Sequence, residues 1–361
     1  MKISTLVKIP ILLLAAVLLC FCPYFSCEAQ VVSEEPISHS SNSPFVEDPF
    51  LTGHFSWLAS DPLLNPVNHG DDQGYSIKDP TIVHYDGRWH LFTTLRSKIR
   101  SHQIEYASFT DWKNASQAKR HLLNLTDGYY CAPQVFFFSP QKQWYLIYQV
   151  DDPTRKPSLQ PAFSTSKDIN DPQSWSKPKL LFKKHPGNVK MWIDFWVICD
   201  DEKAHLFFTS HAGWMWRSET WLNNFPAGWS KPEVVLRDNI FEASHTYRLK
   251  GRDQFLTLVE AQNEGKRYFK AYTAGRLDGK WNPLAASPSQ PFASTKNVRF
   301  QGKPWTTSFS HGEFLRSGYD ERLQIDPNDV QLLFQGVAGE TRADQNYGKI
   351  PWKLGLLKFE P

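Results

Sequence analysis

The chain repeats a unit of two short apolar runs joined by a polar turn, and this repeat constrains its fold more than any other feature. The second run of each unit carries aromatic residues. Four units read PTIVHYDGRWHLFTT, PQVFFFSPQKQWYLIYQ, DFWVICDDEKAHLFFTS and ASHTYRLKGRDQFLTLVE, and a less regular fifth reads FSHGEFLRSGYDERLQI. Such runs around such turns are typical of β-hairpins. Almost no segment has a helical period, so we predict an all-β protein.

The spacing of the hairpins discriminates among all-β folds. They begin near Asp79, Pro133, Asp194, Glu242 and His311, at intervals of about 50 to 70 residues. A hairpin unit that recurs at this distance is typical of a β-propeller, in which each unit forms one four-stranded blade. A β-sandwich or two stacked β-domains would also show many short strands. Because a similar motif begins every unit and no Pro/Gly/Ser linker follows residue 50, we predict a five-bladed β-propeller.

The first 52 residues lack this repeat and divide into two segments. Residues 1–29 combine early lysines, an apolar run and small residues before a cleavage point after Ala29, which is typical of a secretory signal peptide. The apolar run is too short to span a bilayer. Residues 30–52 are rich in Ser, Pro and Glu, which predicts a disordered lead-in. The propeller is therefore expected to occupy residues 53–361 of a secreted, extracellular protein.

The charge of the chain argues against two classes of partner. Its 40 Lys and Arg residues nearly balance 37 Asp and Glu residues, and the two signs are interspersed. This distribution gives no support for a nucleic-acid or membrane-surface partner. We expect neither partner, and we expect a monomer.

Cysteines and asparagines bear on the covalent state of a secreted chain. Three of the five cysteines leave with the signal peptide, and Cys131 and Cys199 remain. These two residues are either disulfide-bonded or buried as free thiols, since each lies in an apolar run. Asn114 and Asn124 begin Asn-X-Ser/Thr sequences, which accept N-linked glycans in a eukaryotic host.

Three carboxylates stand at the beginnings of hairpin units. If the first strand of each blade lines the central channel, Asp79, Asp194 and Glu242 converge at one end of it. Each of them alone would more commonly cap a turn. Together they repel one another, so at least one should have a raised pKa and lie as an acid beside a base. Glycoside hydrolysis uses such a pair, because an acid must protonate the leaving oxygen while a carboxylate activates water.

Longer motifs around these carboxylates resemble glycoside hydrolase family 62, a family of secreted α-L-arabinofuranosidases. The matching motifs are SIKDP (76–80), APQVFFF (132–138), WIDFWVICD (192–200), FEAS (241–244), YRLKG (247–251), SHGEFLRSGYD (310–320) and PWKLGLL (351–357). They follow in the family's order from about Phe55 to Leu357. The resemblance implies a five-bladed β-propeller and an inverting enzyme that releases terminal arabinofuranosyl side groups from arabinoxylan or arabinan.

The same resemblance implies a role for each carboxylate. Asp79 would be the general base that activates water, and Glu242 would be the general acid. Asp194 would be the third carboxylate, which orients the substrate and tunes the pKa of the acid. Crowding by two other carboxylates is expected to raise the pKa of Glu242 in the direction an acid needs.

Further residues match family positions around the sugar. Lys78, Arg316 and Tyr347 match positions that line the pocket, where cationic side chains bind hydroxyls and hold carboxylates ionised. Outside the family, Lys78 would be interpreted as a solvated lysine and Arg316 as half of a structural ion pair. His311 matches a histidine that touches a structural calcium ion held mostly by waters, with Gln335 as a neighbour. Calcium prefers oxygen ligands, so a lone histidine there would more commonly be a buried, hydrogen-bonded residue.

Two stretches depart from the family pattern. Gly348 follows the pocket tyrosine where an asparagine is common, which removes an amide that can bind substrate. Residues 150–161 (VDDPTRKPSLQP) form a longer and more polar segment without an aromatic side chain to stack on xylan. A surface loop tolerates such a change, but the preferred polymer stays open.

Two other functions also stay open. A β-xylosidase or endo-arabinanase of the neighbouring family 43 would use the same scaffold and three carboxylates, although the longer motifs around Asp194 and Glu242 argue against it. A non-catalytic propeller lectin would keep the fold without the reaction, although the presence of all three acids argues against it.

Overall fold

The computed structural model of the protein describes residues 47–337 and 347–361. The predicted signal peptide and most of the predicted lead-in lie outside the described residues. The described residues form one compact unit. In the described part of the chain, no helix is both long and apolar enough to span a bilayer.

Almost all of the regular structure in the described residues is β-strand. The strands are β1 (Trp57–Ala59), β2 (Gly74–Tyr85), β3 (Arg88–Ser97), β4 (Gln103–Phe109), β5 (Arg120–Leu122), β6 (Tyr130–Phe138), β7 (Gln143–Asp151), β8 (Leu159–Ser166), β9 (Lys179–Leu180), β10 (Ile193–Cys199), β11 (Lys203–Thr209), β12 (Trp214–Trp221), β13 (Glu233–Arg237), β14 (Glu242–Leu249), β15 (Phe255–Asn263), β16 (Lys266–Ala274), β17 (Asn282–Ala285), β18 (Val298–Phe300), β19 (Ser308–Phe314), β20 (Gln324–Ile325), β21 (Gln331–Val337) and β22 (Lys353–Phe359). The helical segments are α1 (Pro49–Thr52) and the 3₁₀ turns Trp112–Gln117, Ser139–Gln141 and Tyr347–Lys349.

The strands form five sheets, one for each blade of a propeller. In strand order the blades are β2-β3-β4-β5, β6-β7-β8-β9, β10-β11-β12-β13, β20-β14-β15-β16-β17 and β19-β21-β22-β1-β18. Four of the predicted hairpins are β2–β3, β6–β7, β10–β11 and β14–β15. The predicted second run of the fifth unit is β20, which joins β14 instead, and β19 pairs with the later strand β21. The predicted five-bladed β-propeller is confirmed.

The fifth blade closes the ring by joining strands from both ends of the described chain. Strand β1 pairs with β22, with Trp57 opposite Phe359 and Ala59 opposite Leu357. Trp57 is fully buried, and its indole N–H donates to the carbonyl of Phe292 at 2.6 Å. The buried side chain of Trp57 therefore anchors the short strand β1 in the closing blade.

Each innermost strand contains a β-bulge near its first residues. In β2, β6, β10, β14 and β19 one extra residue interrupts the pairing with the neighbouring strand. One residue in each bulge has a positive φ: Asp79 (49°), Ala132 (52°), Asp194 (58°), Ala243 (58°) and His311 (29°). A bulge re-aims the side chains around it. The five blades therefore each present one residue of this kind at the same end of the channel.

The bulges show how far the three carboxylates occupy equivalent positions in their blades, as the sequence predicted. Asp79 and Asp194 occupy the same position in their blades, as expected. Glu242 stands one residue before the positive-φ residue of its own blade, Ala243. It is therefore level with Lys78 and Ser310 rather than with the other two carboxylates.

The opposite end of the channel is crossed by the connection between β19 and β21. The N–H of Phe137 donates to Tyr319 O at 2.8 Å, and the N–H of Cys199 donates to Glu321 O at 2.9 Å. Strand β20 then adds in parallel to the end of β14. Residues 319–325 are thus bonded to the inner strands of three other blades.

Helix α1 corrects the predicted boundary of the lead-in. Asp48 accepts the N–H of Phe50 at the start of the turn, and Gly53 ends it with φ 71°. A side chain at Gly53 would meet Leu284 O at 2.1 Å, so the position requires glycine. Phe50 is buried and packs edge-on against Phe55. The lead-in was predicted to run to residue 52 but ends earlier, because burial of Phe50 offsets the cost of ordering the turn.

The structure also decides between the two states left open for the cysteines. Cys131 and Cys199 are buried free thiols. Cys131 lies near the start of β6 and Cys199 at the end of β10, so they lie toward opposite ends of the channel. Asn114 and Asn124 are both exposed, which is compatible with glycosylation, and their occupancy stays a prediction.

Trp57→Ala should lower the free energy of unfolding by about 3 to 5 kcal/mol, because it opens a cavity in the closing blade. Leu58→Ala is the matched control on the same strand, since Leu58 is only half-buried, and it should cost about 1 kcal/mol or less. Thermal unfolding of both variants checks this. Equal losses of stability would contradict the closing role of Trp57.

Candidate active site

The bulged ends of the inner strands enclose a small polar cavity. Its volume is about 120 Å³, and its walls include Lys78, Asp79, Asp194, Glu242 and His311. All five side chains are buried. Pockets for drug-sized ligands measure roughly 300 to 1,000 Å³, so this cavity suits one small group. The structure thus brings together five of the seven residues predicted for the site and the metal.

Asp79 lies between the side chains of a lysine and a histidine. Lys78 Nζ lies 3.4 Å from Asp79 Oδ2, and His311 Nδ1 lies 3.8 Å from Asp79 Oδ1. The backbone N–H of Asp79 donates to Gln335 Oε1 at 2.7 Å, which fixes the bulge. This arrangement suits a carboxylate that accepts a proton from water.

The carboxyl group of Asp194 has a raised pKa. Burial raises it most, the charges of Glu242 and Asp79 raise it further, and His311 opposes them, so that the pKa of Asp194 reaches about 6. Its Oδ2 accepts the N–H of Ala243 at 3.1 Å and lies 4.0 Å from His311 Nδ1. Asp194 therefore links the blades that carry Glu242 and His311.

Glu242 has the opposite shift from the one expected. Burial raises its pKa, but Arg267 and a hydrogen bond with His211 outweigh this and hold the pKa well below its ordinary value. Arg267 Nη1 lies 3.3 Å from Glu242 Oε2, and His211 Nε2 lies 3.3 Å from Glu242 Oε1. The prediction that crowding raises the pKa of Glu242 is wrong, because each of its oxygens has a cationic partner.

A second buried carboxylate, Glu260, supports this arrangement from behind. Its Oε1 accepts from Arg267 Nη1 at 2.7 Å, and its Oε2 accepts from Ser310 Oγ at 2.7 Å and from the N–H of His311 at 3.0 Å. Glu260 therefore positions the cation beside Glu242 and the bulge that carries His311.

Arg316 does not line the pocket, and its predicted role there is wrong. Its side chain is fully buried, with Nε 2.7 Å from Glu313 Oε1. The guanidinium also donates to the carbonyls of Ile82 and Val135 at 3.0 and 2.8 Å. These bonds hold Arg316 inside the channel below the pocket, where it links three blades. Burial raises the pKa of its partner Glu313 to about 7, although Arg316 opposes that shift.

Tyr347 begins the 3₁₀ turn Tyr347–Lys349, and its side chain lies outside what the structure describes. The carbonyl of Gly348 accepts the hydroxyl of Tyr75 at 2.9 Å. This bond ties the turn to the first residues of β2, which lie at the same end of the channel as the pocket. The role predicted for Tyr347 stays a prediction.

His311 lies near two carboxylates with which it could hold a metal ion. Ligand-type atoms of Asp194, Glu242 and His311 lie within 4.8 Å of one another. The oxygens are those of predicted catalytic carboxylates, and Glu242 already faces Arg267. Gln335 uses its amide on Asp79 N and Ser310 Oγ. His311 itself offers a nitrogen rather than the oxygen that calcium prefers, and calcium stays a prediction.

Several residues reach the site from second and third strands, and sequence reasoning missed them. His211 follows β11, Gln149 lies near the end of β7, and Arg267 lies near the start of β16. The second strand of a blade returns to the face where the first strand begins. Polar residues near the end of a second strand or the start of a third strand could therefore have been predicted to lie at the site.

The polar loop at residues 152–158 lies on the same face. Asp151 N donates to Tyr129 O at 3.1 Å, and Tyr129 lines the pocket. Arg155 pins the loop by donating to the carbonyl of Phe182 at 3.4 Å and of Lys183 at 3.1 Å. The predicted loop therefore borders the substrate side of the propeller.

A larger cavity of about 410 Å³ lies at the opposite end, between the third and fourth blades. Its walls include Asp201, Glu202, Arg276 and Asp278. None of the three predicted catalytic carboxylates lies there, so we place the site at the smaller cavity.

A propeller that converges three buried carboxylates on a small pocket has the architecture of a glycoside hydrolase. The sequence model described as Glycosyl hydrolase family 62 matches residues 56–358. The chain belongs to glycosyl hydrolase family 62.

Known relatives are similar along most of this chain. Alpha-L-arabinofuranosidase C of Cellvibrio japonicus (strain Ueda107) is 37% identical over 318 residues, which cover 86% of this chain and 48% of that protein. The chain thus spans about half the length of that relative. The catalytic domain of a Coprinopsis cinerea GH62 alpha-L-arabinofuranosidase is 38% identical with a TM-score of 0.79, covering 86% of this chain and 98% of that one.

Further solved structures separate the family from the wider fold. A GH62 hydrolase solved with xylotriose is 37% identical, with a TM-score of 0.78 and coverage of 86% of this chain and 100% of that one. A GH43 endo-arabinanase from Bacillus licheniformis is 14% identical with a TM-score of 0.55, covering 81% of this chain and 95% of that one. The second likeness shows the fold alone.

Asp194→Asn should stabilise the protein at pH 7. Burial and like charge raise the pKa of Asp194 from 3.8 to about 6, so the folded state loses stability as pH rises through that window. The asparagine oxygen can still accept the N–H of Ala243. We expect a gain on the order of 1 kcal/mol at pH 7 that vanishes near pH 4.

Thermal unfolding at the two pH values measures this gain. The exposed Asp86 also has a positive φ, of 49°, so Asp86→Asn is the control and should show no such pH dependence. A loss of stability in Asp194→Asn at pH 7 would contradict the raised pKa.

Proposed function

We propose that the protein is a secreted, inverting α-L-arabinofuranosidase that removes terminal arabinofuranosyl groups from arabinoxylan or arabinan. The observation that carries this proposal is the pocket of about 120 Å³ bounded by Asp79, Asp194 and Glu242, in a chain of family 62. A pocket of this size accommodates a single sugar ring better than a polysaccharide backbone. It therefore favours removal of side groups over cleavage within a chain.

In the proposed reaction Asp79 is the general base. It accepts a proton from water while the water oxygen bonds to the anomeric carbon on the face opposite the leaving oxygen. Lys78 and His311 are placed to stabilise the carboxylate before it accepts that proton. A single displacement of this kind inverts the configuration at the anomeric carbon.

Glu242 is the proposed general acid on the other face of the sugar. Cleavage of the glycosidic C–O bond leaves negative charge on the leaving oxygen, and a proton from the Glu242 carboxyl neutralises it. Asp194 interacts electrostatically with both reacting groups, and its raised pKa and the hydrogen bond from Ala243 N support a role in orienting the sugar and tuning Glu242.

Location, assembly and metal content remain expectations from the sequence. Residues 1–29 support secretion and an extracellular location. The exposure of Asn114 and Asn124 is consistent with that route. A monomer and a structural calcium ion complete these expectations.

Incubation of the purified protein with arabinoxylan should release free arabinose, first as the β-anomer. Chromatography identifies the sugar, and proton NMR follows its configuration in the first minutes. Xylose or oligosaccharides would instead indicate a family 43-type β-xylosidase or endo-arabinanase. Binding without any released sugar would indicate a propeller lectin.

Asp79→Asn and Glu242→Gln should each lower kcat by roughly 10² to 10⁴-fold, which is the usual contribution of a general acid or base. Both substitutions keep the size of the side chain, so the fold should survive. Initial rates and thermal unfolding are measured together, with Asp86→Asn as the control at the far end of β2. Ordinary turnover in either variant would exclude its residue from the reaction.

A further inference from the structure

The proposed mechanism does not explain the contact between His211 and Glu242. His211 follows β11 and has a positive φ of 47°. Its ring lies parallel to Phe241, at 5.4 Å between centroids and 8° between planes. This stacking aims Nε2 at Glu242 Oε1, 3.3 Å away. The side chain of His211 is 36% exposed and that of Glu242 only 7%, so the histidine joins a buried carboxyl group to solvent.

Within residues 47–337 and 347–361, the side chain that contacts the other oxygen of Glu242 is one that does not supply protons. This oxygen faces Arg267 Nη1 at 3.3 Å, and Arg267 is itself held by Glu260 at 2.7 Å. A guanidinium does not give up a proton in a protein. Arg267 therefore favours the ionised carboxylate, whereas an acid catalyst must arrive at the transition state with a proton.

We propose that His211 is a positioning residue that holds the proton which Glu242 delivers to the leaving oxygen. The inference rests on the proposed function and deepens it. His211 acts through Glu242 and does not touch the sugar. The pair stores one proton between Nε2 and Oε1, on the side of the carboxyl group away from Arg267.

The proton balance of the cycle closes without another reactant. As the C–O bond breaks, the pair gives one proton to the leaving oxygen and becomes neutral histidine beside carboxylate. The attacking water bonds to carbon and gives one proton to Asp79. After the products leave, Asp79 releases its proton to solvent and the exposed edge of His211 takes one up.

The groups around His211 suit this storage. The hydrogen bond to Glu242 raises the pKa of His211, burial opposes this, and the charges of Glu242 and Asp194 raise it further. Arg267 acts in the opposite direction. The net effect raises the pKa, so the histidine keeps its proton to higher pH than a free imidazole does.

His211→Gln tests the proposal, because glutamine can donate a hydrogen bond to Glu242 but cannot titrate. With Arg267 as its remaining charged partner, Glu242 would hold a proton only at lower pH. The alkaline limb of kcat/KM should therefore move to lower pH. At pH 7 we expect kcat on an arabinoxylo-oligosaccharide to fall about 10 to 100-fold.

The leaving group separates a role in proton supply from a structural one. The para-nitrophenolate leaving group of a para-nitrophenyl arabinofuranoside departs without protonation. His211→Gln should therefore hydrolyse this substrate within about threefold of the parent rate. His84→Gln is the matched control, since His84 is exposed and also contacts an aromatic ring, that of Trp89, at the far end of β2. It should behave as the parent on both substrates.

Two outcomes would overturn the inference and leave the proposed function standing. One is an unchanged pH profile in His211→Gln, and the other is an equal loss on both substrates while the parent enzyme releases arabinose. If the parent protein releases no arabinose from either substrate, the proposed function fails and the role of His211 fails with it.

Discussion

The extra residue in each inner strand is the constraint on which the site depends. In a regular strand alternate side chains point to the two faces of the blade, and few would point along the channel. The bulges turn Asp79, Asp194 and His311 into backbone conformations that non-glycine residues rarely adopt. The packed blades of the propeller hold these residues in their strained conformations. Strain of this kind persists where the surrounding structure over-determines it, commonly at functional sites.

The propeller can bury several charged side chains near its central axis because nearly all of them are paired. Three carboxylates face Lys78, His311 and Arg267 across distances of 3.3 to 4.0 Å. Removal of Lys78 or Arg267 would leave an uncompensated buried carboxylate. The pairing is uneven, since burial outweighs the effect of His311 on the pKa of Asp194, whereas Arg267 and His211 each contact one oxygen of Glu242. This difference in pairing raises the pKa of Asp194 and lowers the pKa of Glu242 in one small cavity.

The sequence predicted what depends on local pattern and missed what depends on distant partners. Hairpins follow from neighbouring residues, and the carboxylates follow from their place at the start of each hairpin. The pKa of Glu242 instead depends on Arg267, and the position of Arg316 depends on carbonyls in two other blades. No motif around either residue reports those contacts. The ordered turn before residue 53 was missed for the same reason, because Phe50 is held by Phe55 and by Arg252, which lies over its ring.

The strap of residues 319–325 across the far end makes the channel a dead end. Whatever enters the pocket between the bulges must return through the same opening. If the protein removes side groups from a polymer as proposed, the freed sugar sits deeper than the polymer from which it was cut, so the polymer has to dissociate first. Release is then ordered, and the freed monosaccharide is the product that occupies the pocket and competes with the next substrate.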